Sequence, residues 1–336
     1  MGRDEFSCLV IQELFGAQDV WQELHIATSP DEKINRGTAF APSPLRILGE
    51  NLNLPVHLIP RAKPDFKIWE PPRPFLDSVN EIPSPDRLLV TASFGRIVPS
   101  RILNLFHPDR RLNVHPSLLP HYRGPAPIQH AILNDEHETG VCVIDMLKKS
   151  QGIDAGPIWA TSRMNVPQGA MFSSMRDELA VEGGKLLVSV LRAMITDKAS
   201  RTVQTDIVQA KTAPLIKFAA GLIDFRTMTA ESIVRRYRAI SHQRPLTLNL
   251  PGAKTLQIHS PSIIGSPPRF VPDVPGRACL SKPTNSLLIR CAANTVLSVP
   301  FVKQEGKALV DARAWWNGAE SLGMVTDRQV DFTLQS

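Results

Sequence analysis

Apolar positions follow two different rhythms along the chain, and the change comes near residue 200. Before it, helix-like and strand-like stretches alternate. Residues 7–14 and 44–51 read as helices, while 25–27 and 56–59 are short apolar runs. Residues 87–93 (RLLVTAS) are mostly apolar and closed by Gly95, as in a strand buried on both faces. Residues 111–115 predict a further strand, 129–133 the opening of a helix, and 140–146 (GVCVIDM) another buried strand. A long helix is predicted over 171–195, with Leu179, Gly183, Leu186, Leu187, Val190, Leu191 and Met194 as its apolar or small positions. This alternation predicts an α/β domain, an open sheet with crossover helices.

After it, residues 198–217 are polar and read as a connection, giving expected limits of 1–197 for the first domain, 198–213 for a linker and 214–325 for the second domain. An amphipathic helix is predicted over 229–241, with Thr229 as N-cap and Glu231 near its start. From Leu246 onward short strands broken by Pro and Gly (255–259, 286–291, 295–301) predict a small barrel or sandwich. The proline-rich stretches 71–74 and 261–272 read as surface loops.

A chain of 336 residues is long enough for two such domains. It has no run of 18 apolar residues, so no membrane-spanning helix is expected. The four cysteines (Cys8, Cys142, Cys279, Cys291) form no CxxC pair, which argues against a zinc site or a disulfide framework; no metal is expected. Charge adds more. Residues 207–336 hold 16 Lys+Arg against 8 Asp+Glu, whereas residues 1–206 hold 22 against 24. The basic excess is confined to the second domain and suggests a polyanionic partner, nucleic acid first.

Candidate chemistry lies in Asn113-Val114-His115-Pro116, at the end of a predicted strand. Positions i and i+2 of a strand face the same way, so Asn113 and His115 project together, at the sheet end where ligands of open α/β folds bind. Asp154 sits in a glycine-flanked loop, Gly152-Ile153-Asp154-Ala155-Gly156, after the next strand. Each residue alone is ordinary at its position; the combination points to acyl transfer. An amide NH2 can donate to an oxyanion without titrating, imidazole exchanges protons near neutrality, and a carboxylate can orient the ring or hold a relaying water.

The run NVHPSLLPHYRGPAPIQHAI (113–132), with ETGV (138–141) and GIDAG (152–156), closely resembles the methionyl-tRNA formyltransferases. NxHPSLLP is shared with other enzymes that use 10-formyltetrahydrofolate, and RGPAPIQ narrows the resemblance. Asn35-Arg36-Gly37 with Pro42-Ser43-Pro44 resembles the family's loop that reaches the tRNA acceptor stem. Gln304-Glu305-Gly306-Lys307 with Trp315-Trp316-Asn317-Gly318 resembles the end of its C-terminal domain. The resemblance implies a Rossmann-like formyltransferase domain followed by a small OB-like β-barrel domain. It implies Asn113, His115 and Asp154 as catalytic residues, Ser117, Leu118, Leu119 and Pro120 as folate-binding, and Arg36 as tRNA-binding. The implied co-substrate is 10-formyltetrahydrofolate, and the implied acceptor is the α-amine of initiator methionyl-tRNA. A monomer is expected, in the mitochondrial matrix or a bacterial cytoplasm. The alternatives are a formyltransferase for a sugar-nucleotide or glycinamide-type amine, and a folate- or RNA-binding module without turnover.

Three departures from the family pattern stand out. Thr38-Ala39 follow Arg36 where lysines are usual, and LKKSQ (147–151) is longer than in bacterial members and resembles eukaryotic organellar ones. Residues 1–7 resemble the family's segment just after its first strand, so the expectation is a fold lacking its middle strand, from a start assigned too far downstream, with unpaired backbone groups beside the gap.

Overall fold

The computed structural model describes residues 1–33, 40–73, 75–76, 83–205, 209–250 and 254–333. Arg36 lies outside the described residues. Two compact units divide the chain. The first comprises Met1–Ile128, His137–Pro167 and Ser173–Pro214, and the second comprises Gln129–Glu136, Gln168–Phe172 and Leu215–Ser336.

The first unit opens with helix α1 (Glu5–Gly16), started by the Asp4 side chain accepting from Ser7 N, with Phe6, Val10 and Leu14 on its buried side. Strands β1 (Ile26–Thr28), β2 (Glu32–Lys33) and β3 (Phe40–Ala41), helix α2 (Pro44–Asn51) and strand β4 (Val56–Leu58) follow. β1 and β4 pair in parallel, Ile26 opposite Val56. Next come α3 (Lys63–Ile68), β5 (Leu89–Ala92), α4 (Ser100–Leu103), β6 (Arg111–His115), β7 (Glu138–Asp145), β8 (Ile158–Asn165) and α6 (Phe172–Ile195, in this unit from Ser173), while α5 (Pro127–Leu133) begins in this unit and belongs to the second from Gln129. The main sheet has the order β5-β6-β7-β8; β5 and β6 are parallel, and the other two pairings are antiparallel. Val141, Cys142, Val143 and Ile144 of β7 are all buried, which explains its continuous apolar run. Helix α6 covers one face, and it can come close because Gly183 has no side chain. A Cβ there would lie 2.7 Å from Val114 Cγ1 and 3.0 Å from Val141 Cγ2.

Three backbone groups beside the expected gap, Val90 O, Ala92 N and Ala27 O, are paired. Met1 N donates to Val90 O (2.6 Å), Ala92 N donates to Met1 O (3.1 Å), and Gly2 N donates to Ala27 O (3.3 Å). Met1 and Gly2 thus bridge β5 and β1.

Residues 198–213, expected as a linker, are hydrogen-bonded into the first unit as far as they are described. Thr202 and Ile158 exchange two backbone hydrogen bonds of 2.8 Å each, and Ala213 N donates to Arg123 O (2.9 Å). Polarity made the segment read as a connection, but its main chain lengthens the unit's network, and the boundary falls after Pro214.

In the second unit, α7 (Ala230–Ile240) begins at its N-cap Thr229, whose side chain accepts from Ser232 N. Among the described residues nine strands follow: β9 (Leu246–Leu250), β10 (Lys254–His259), β11 (Ser262–Ile263), β12 (Arg277–Ser281), β13 (Ser286–Arg290), β14 (Val296–Val299), β15 (Phe301–Gln304), β16 (Leu309–Asp311) and β17 (Val330–Asp331), with α8 (Ala312–Ser321) between the last two. They form two antiparallel sheets, β16-β15-β10-β9 and β11-β14-β13-β12-β17, as in a small OB-like barrel. The single strand expected over 295–301 is split. Pro300, which lacks an N–H, ends β14 in one sheet, and the chain continues as β15 in the other.

Near β1 and β4, the His57 ring stacks on His25 (centroids 5.2 Å apart, planes at 12°), with Nδ1 of His25 3.0 Å from Nε2 of His57. Glu23 Oε1 lies 2.6 Å from the other His25 nitrogen. Burial, and then the neighbouring His25, hold His57 below its ordinary value of 6.5. The unfolded chain therefore binds the proton more readily, and stability due to neutral His57 is present at higher pH and is lost as pH falls below about 6.5. The stability advantage of the wild type over His57→Gln, measured by urea unfolding, is expected to shrink between about pH 7.5 and pH 5.5. An unchanged difference contradicts this.

Candidate active site

Asn113 and His115 leave β6 on the same side, while Leu112 and Val114 between and beside them are buried. On the neighbouring strand, Thr91 is the register partner of Asn113. Its Oγ1 hydroxyl donates to Asn113 Oδ1 (2.8 Å), which leaves the amide nitrogen of Asn113 facing Asp154. Asn113 Nδ2 lies 3.4 Å from Asp154 Oδ1, and His115 Nδ1 lies 3.8 Å from Asp154 Oδ2. Asn113, His115 and Asp154 are therefore brought together around one carboxylate.

The surroundings fix which nitrogen of the neutral imidazole carries hydrogen. His115 is 4% exposed, and its Nε2 is 3.0 Å from the carbonyl oxygen of Tyr122. A carbonyl only accepts, so Nε2 carries hydrogen, and the lone pair of the neutral ring sits on Nδ1, the nitrogen turned toward Asp154. Asp154 is 16% exposed at its side chain, and its Oδ2 also accepts from Gly124 N (3.0 Å). Its φ of +53° is left-handed, an uncommon conformation for a non-glycine residue that the surrounding bonds must hold.

The loop carrying Asp154 is pinned at its neck. Asp145 N donates to Pro157 O (3.0 Å), and the buried Asp145 carboxylate accepts from Trp159 Nε1 and Arg201 Nη1 (2.7 Å each). Burial pushes the Asp145 carboxyl up, against the pull of the indole and the guanidinium. Gly156 packs so closely that a Cβ would lie 1.9 Å from Asp145 O.

The segment 117–120 divides. Ser117 is buried, and its Oγ donates to His121 O (2.8 Å). Leu119 joins Cys142 and Ile144 in the core. Leu118 and Pro120 are half-buried and remain available at the surface, so a ligand there would meet those two side chains and main chain rather than the Ser117 hydroxyl. The Leu119–Pro120 peptide is cis. Among the described residues, no group of three or more His, Cys, Asp or Glu could hold a metal ion, and no helix is long and apolar enough to cross a membrane.

Thr91, the Tyr122 carbonyl and the Gly124 amide were not singled out from sequence. Thr91 lies inside a predicted strand, but the register that places it opposite Asn113 is not written locally.

Two family models cover most of the chain: formyl transferase matches residues 66–191, and the formyl transferase C-terminal domain matches residues 215–320. A methionyl-tRNA formyltransferase of Lactiplantibacillus plantarum is 30% identical over 319 residues, 95% of this chain and 94% of that protein. The chain belongs to the methionyl-tRNA formyltransferase family. Another member, from Syntrophus aciditrophicus, is 30% identical over 318 residues, 95% of this chain and 94% of that protein. Similar solved structures are the sugar 3N-formyl transferase WlaRD with dTDP and 5-N-formyl-THF (TM-score 0.59, 17% identity, 91% of this chain and 97% of that one) and an N-formyltransferase from Helicobacter canadensis with folinic acid and dTDP-3-aminofucose (TM-score 0.58, 16% identity, 89% and 96%). They share the fold.

Within this family frame, Thr91 sets the Asn113 amide. Thr91→Val keeps the shape and removes the hydroxyl, so kcat for formyl transfer is expected to fall about fivefold, about 1 kcal/mol for one hydrogen bond. Steady-state kinetics check it; an unchanged kcat means the amide is oriented by something else.

Proposed function

We propose that the chain transfers the formyl group of 10-formyltetrahydrofolate to the α-amine of methionyl initiator tRNA, with Asn113, His115 and Asp154 as the reacting machinery. The observation that carries this reading is the shared Asp154 carboxylate, 3.4 Å from Asn113 Nδ2 and 3.8 Å from His115 Nδ1, in a chain of this family. In the exchange, the amine nitrogen bonds to the formyl carbon and the bond from that carbon to the donor nitrogen breaks. One proton leaves the amine and one reaches the departing nitrogen. The Asn113 NH2 donates to the carbonyl oxygen as negative charge builds there. Nδ1 of His115 takes the proton from the amine, directly or through one water, Asp154 stabilises the resulting imidazolium, and the imidazolium gives the proton to the departing nitrogen. The folate donor lies along Leu118 and Pro120 and the adjoining main chain.

For the acceptor, Arg36 is a tRNA contact by family resemblance alone, and the basic second unit meets phosphates. Relatives of near-full-length similarity are methionyl-tRNA enzymes, which favours this amine over a sugar-nucleotide or glycinamide-type one. The site of action is the bacterial cytoplasm or, in a eukaryote, the mitochondrial matrix; the relatives named above are bacterial.

The test is formation of formyl-methionyl-tRNA by the purified chain. Product is expected with methionyl-tRNA and not with a dTDP-linked amino sugar; the reverse preference, or no product, defeats the reading. A second expected outcome concerns salt. Raising salt from about 50 mM to about 200 mM should weaken tRNA binding at least tenfold through counterion release, while binding of the folate changes by less than about twofold. Parallel weakening of both, measured by titration, contradicts separate phosphate and folate contacts.

A further inference from the structure

The side chain of Gln204 joins the loop of Asp154 to the turn containing Tyr122, Arg123 and Gly124. Its Nε2 donates to the carbonyls of Asp154 (2.9 Å) and Gly156 (2.7 Å). Its Oε1 accepts from Arg123 Nε (3.0 Å) and Nη2 (2.8 Å). Both hydrogens and both lone pairs of the amide are thus engaged. The turn that Arg123 belongs to supplies two main-chain contacts of the site: Tyr122 O fixes the His115 tautomer, and Gly124 N holds Asp154 Oδ2. Together these bonds close a ring that runs from the Asp154 carboxylate through the Gly124 amide, the Arg123 guanidinium and the Gln204 amide back to the Asp154 carbonyl. One residue is gripped at its side chain by one wall and at its main chain by the other. The turn is itself tied down, with Ala213 N donating to Arg123 O (2.9 Å).

We propose that Gln204, anchored by Arg123, is a positioning residue that sets where the Asp154 carboxylate stands relative to His115 Nδ1 and Asn113 Nδ2. This rests on the catalytic reading above. The left-handed backbone of Asp154 (φ +53°) is one that Asp tolerates but does not prefer, and the bonds to the Asp154 and Gly156 carbonyls help to select it and with it the position of the carboxylate. A misplacement of about 1 Å can cost on the order of a hundredfold in rate. Gln204 touches no reacting atom, so its effect must pass through Asp154.

That dependence gives the test. Gln204→Met has similar length and no hydrogen bonds. Gln204→Glu can still accept from Arg123 but has no hydrogen for the two carbonyls. Single-turnover formylation of methionyl-tRNA is measured for the full-length wild type, for both variants, and for Asp154→Ala with and without Gln204→Met. The rate is expected to fall about tenfold to a hundredfold in both Gln204 variants, with KM for methionyl-tRNA in steady-state assays within about threefold. In the Asp154→Ala background, Gln204→Met should cause less than about a twofold further loss. Equal losses in both backgrounds indicate a general structural role and overturn the proposal, as does an unchanged rate in an active wild type. An active wild type with unaffected variants leaves the functional reading standing; a wild type that transfers no formyl group overturns that reading and the positioning role with it.

Discussion

Asp154→Asn is expected to lower kcat for formyl transfer by about 10³-fold, within the range for loss of general acid–base chemistry. The substitution keeps volume and shape and changes only what the group can accept. Both carboxylate oxygens face donors: Oδ1 faces the Asn113 amide nitrogen, and Oδ2 accepts from Gly124 N. An Asn at 154 must turn its NH2 toward one of them, setting donor against donor. In the second orientation the NH2 also points toward His115 Nδ1, which lies 3.8 Å from the oxygen it replaces and is the nitrogen proposed to take the proton. The negative charge that supports an imidazolium is gone in either case. Methionyl-tRNA binding, measured separately, should change little, since the loss belongs to the chemical step. A kcat within about tenfold of wild type contradicts the proposed support that Asp154 gives to proton transfer at His115.

Gly156→Ala is expected to destabilise the first unit by about 2–4 kcal/mol and to abolish most activity. The added Cβ would stand 1.9 Å from the Asp145 carbonyl oxygen and 2.8 Å from its carbon, and both are backbone atoms that cannot swing aside. The neck must open, which breaks the Asp145 N to Pro157 O bond and the Gln204 bond to Gly156 O. Gly16→Ala is the matching control, since nothing lies within 4 Å of a Cβ there, and it should stay within about 0.5 kcal/mol of wild type. Thermal unfolding and formylation rates of the two variants decide it. Comparable stability of both would mean that the neck yields freely.

Much of the candidate site's geometry was legible because its parts obey local rules. Asn113 and His115 share a face by the two-residue period of a strand that stops at Pro116, and Asp154 announced itself by the glycines around it. The partners that orient them were not legible. Thr91, Tyr122 and Gln204 reach the site through strand register, a turn carbonyl and a segment whose polarity suggested a linker. None of these leaves a mark in local composition. Strand β8 escaped because its exposed positions are polar or mixed (IWATSRMN), although it pairs along almost all of β7. The second unit was legible as a set of short strands, but the sheet change at Pro300 depends on how the sheets meet.

If the amide, the imidazole and the carboxylate act as one device, the losses from removing them cannot multiply. Single-turnover transfer of a labelled formyl group to methionyl-tRNA, compared among the wild type, Asn113→Ala, His115→Ala, Asp154→Ala and the triple variant, tests this directly. The expected result is a triple variant no slower than about tenfold below the worst single variant. Single variants that retain wild-type rates, or a triple loss equal to the product of the three, would contradict a shared catalytic centre at Asp154.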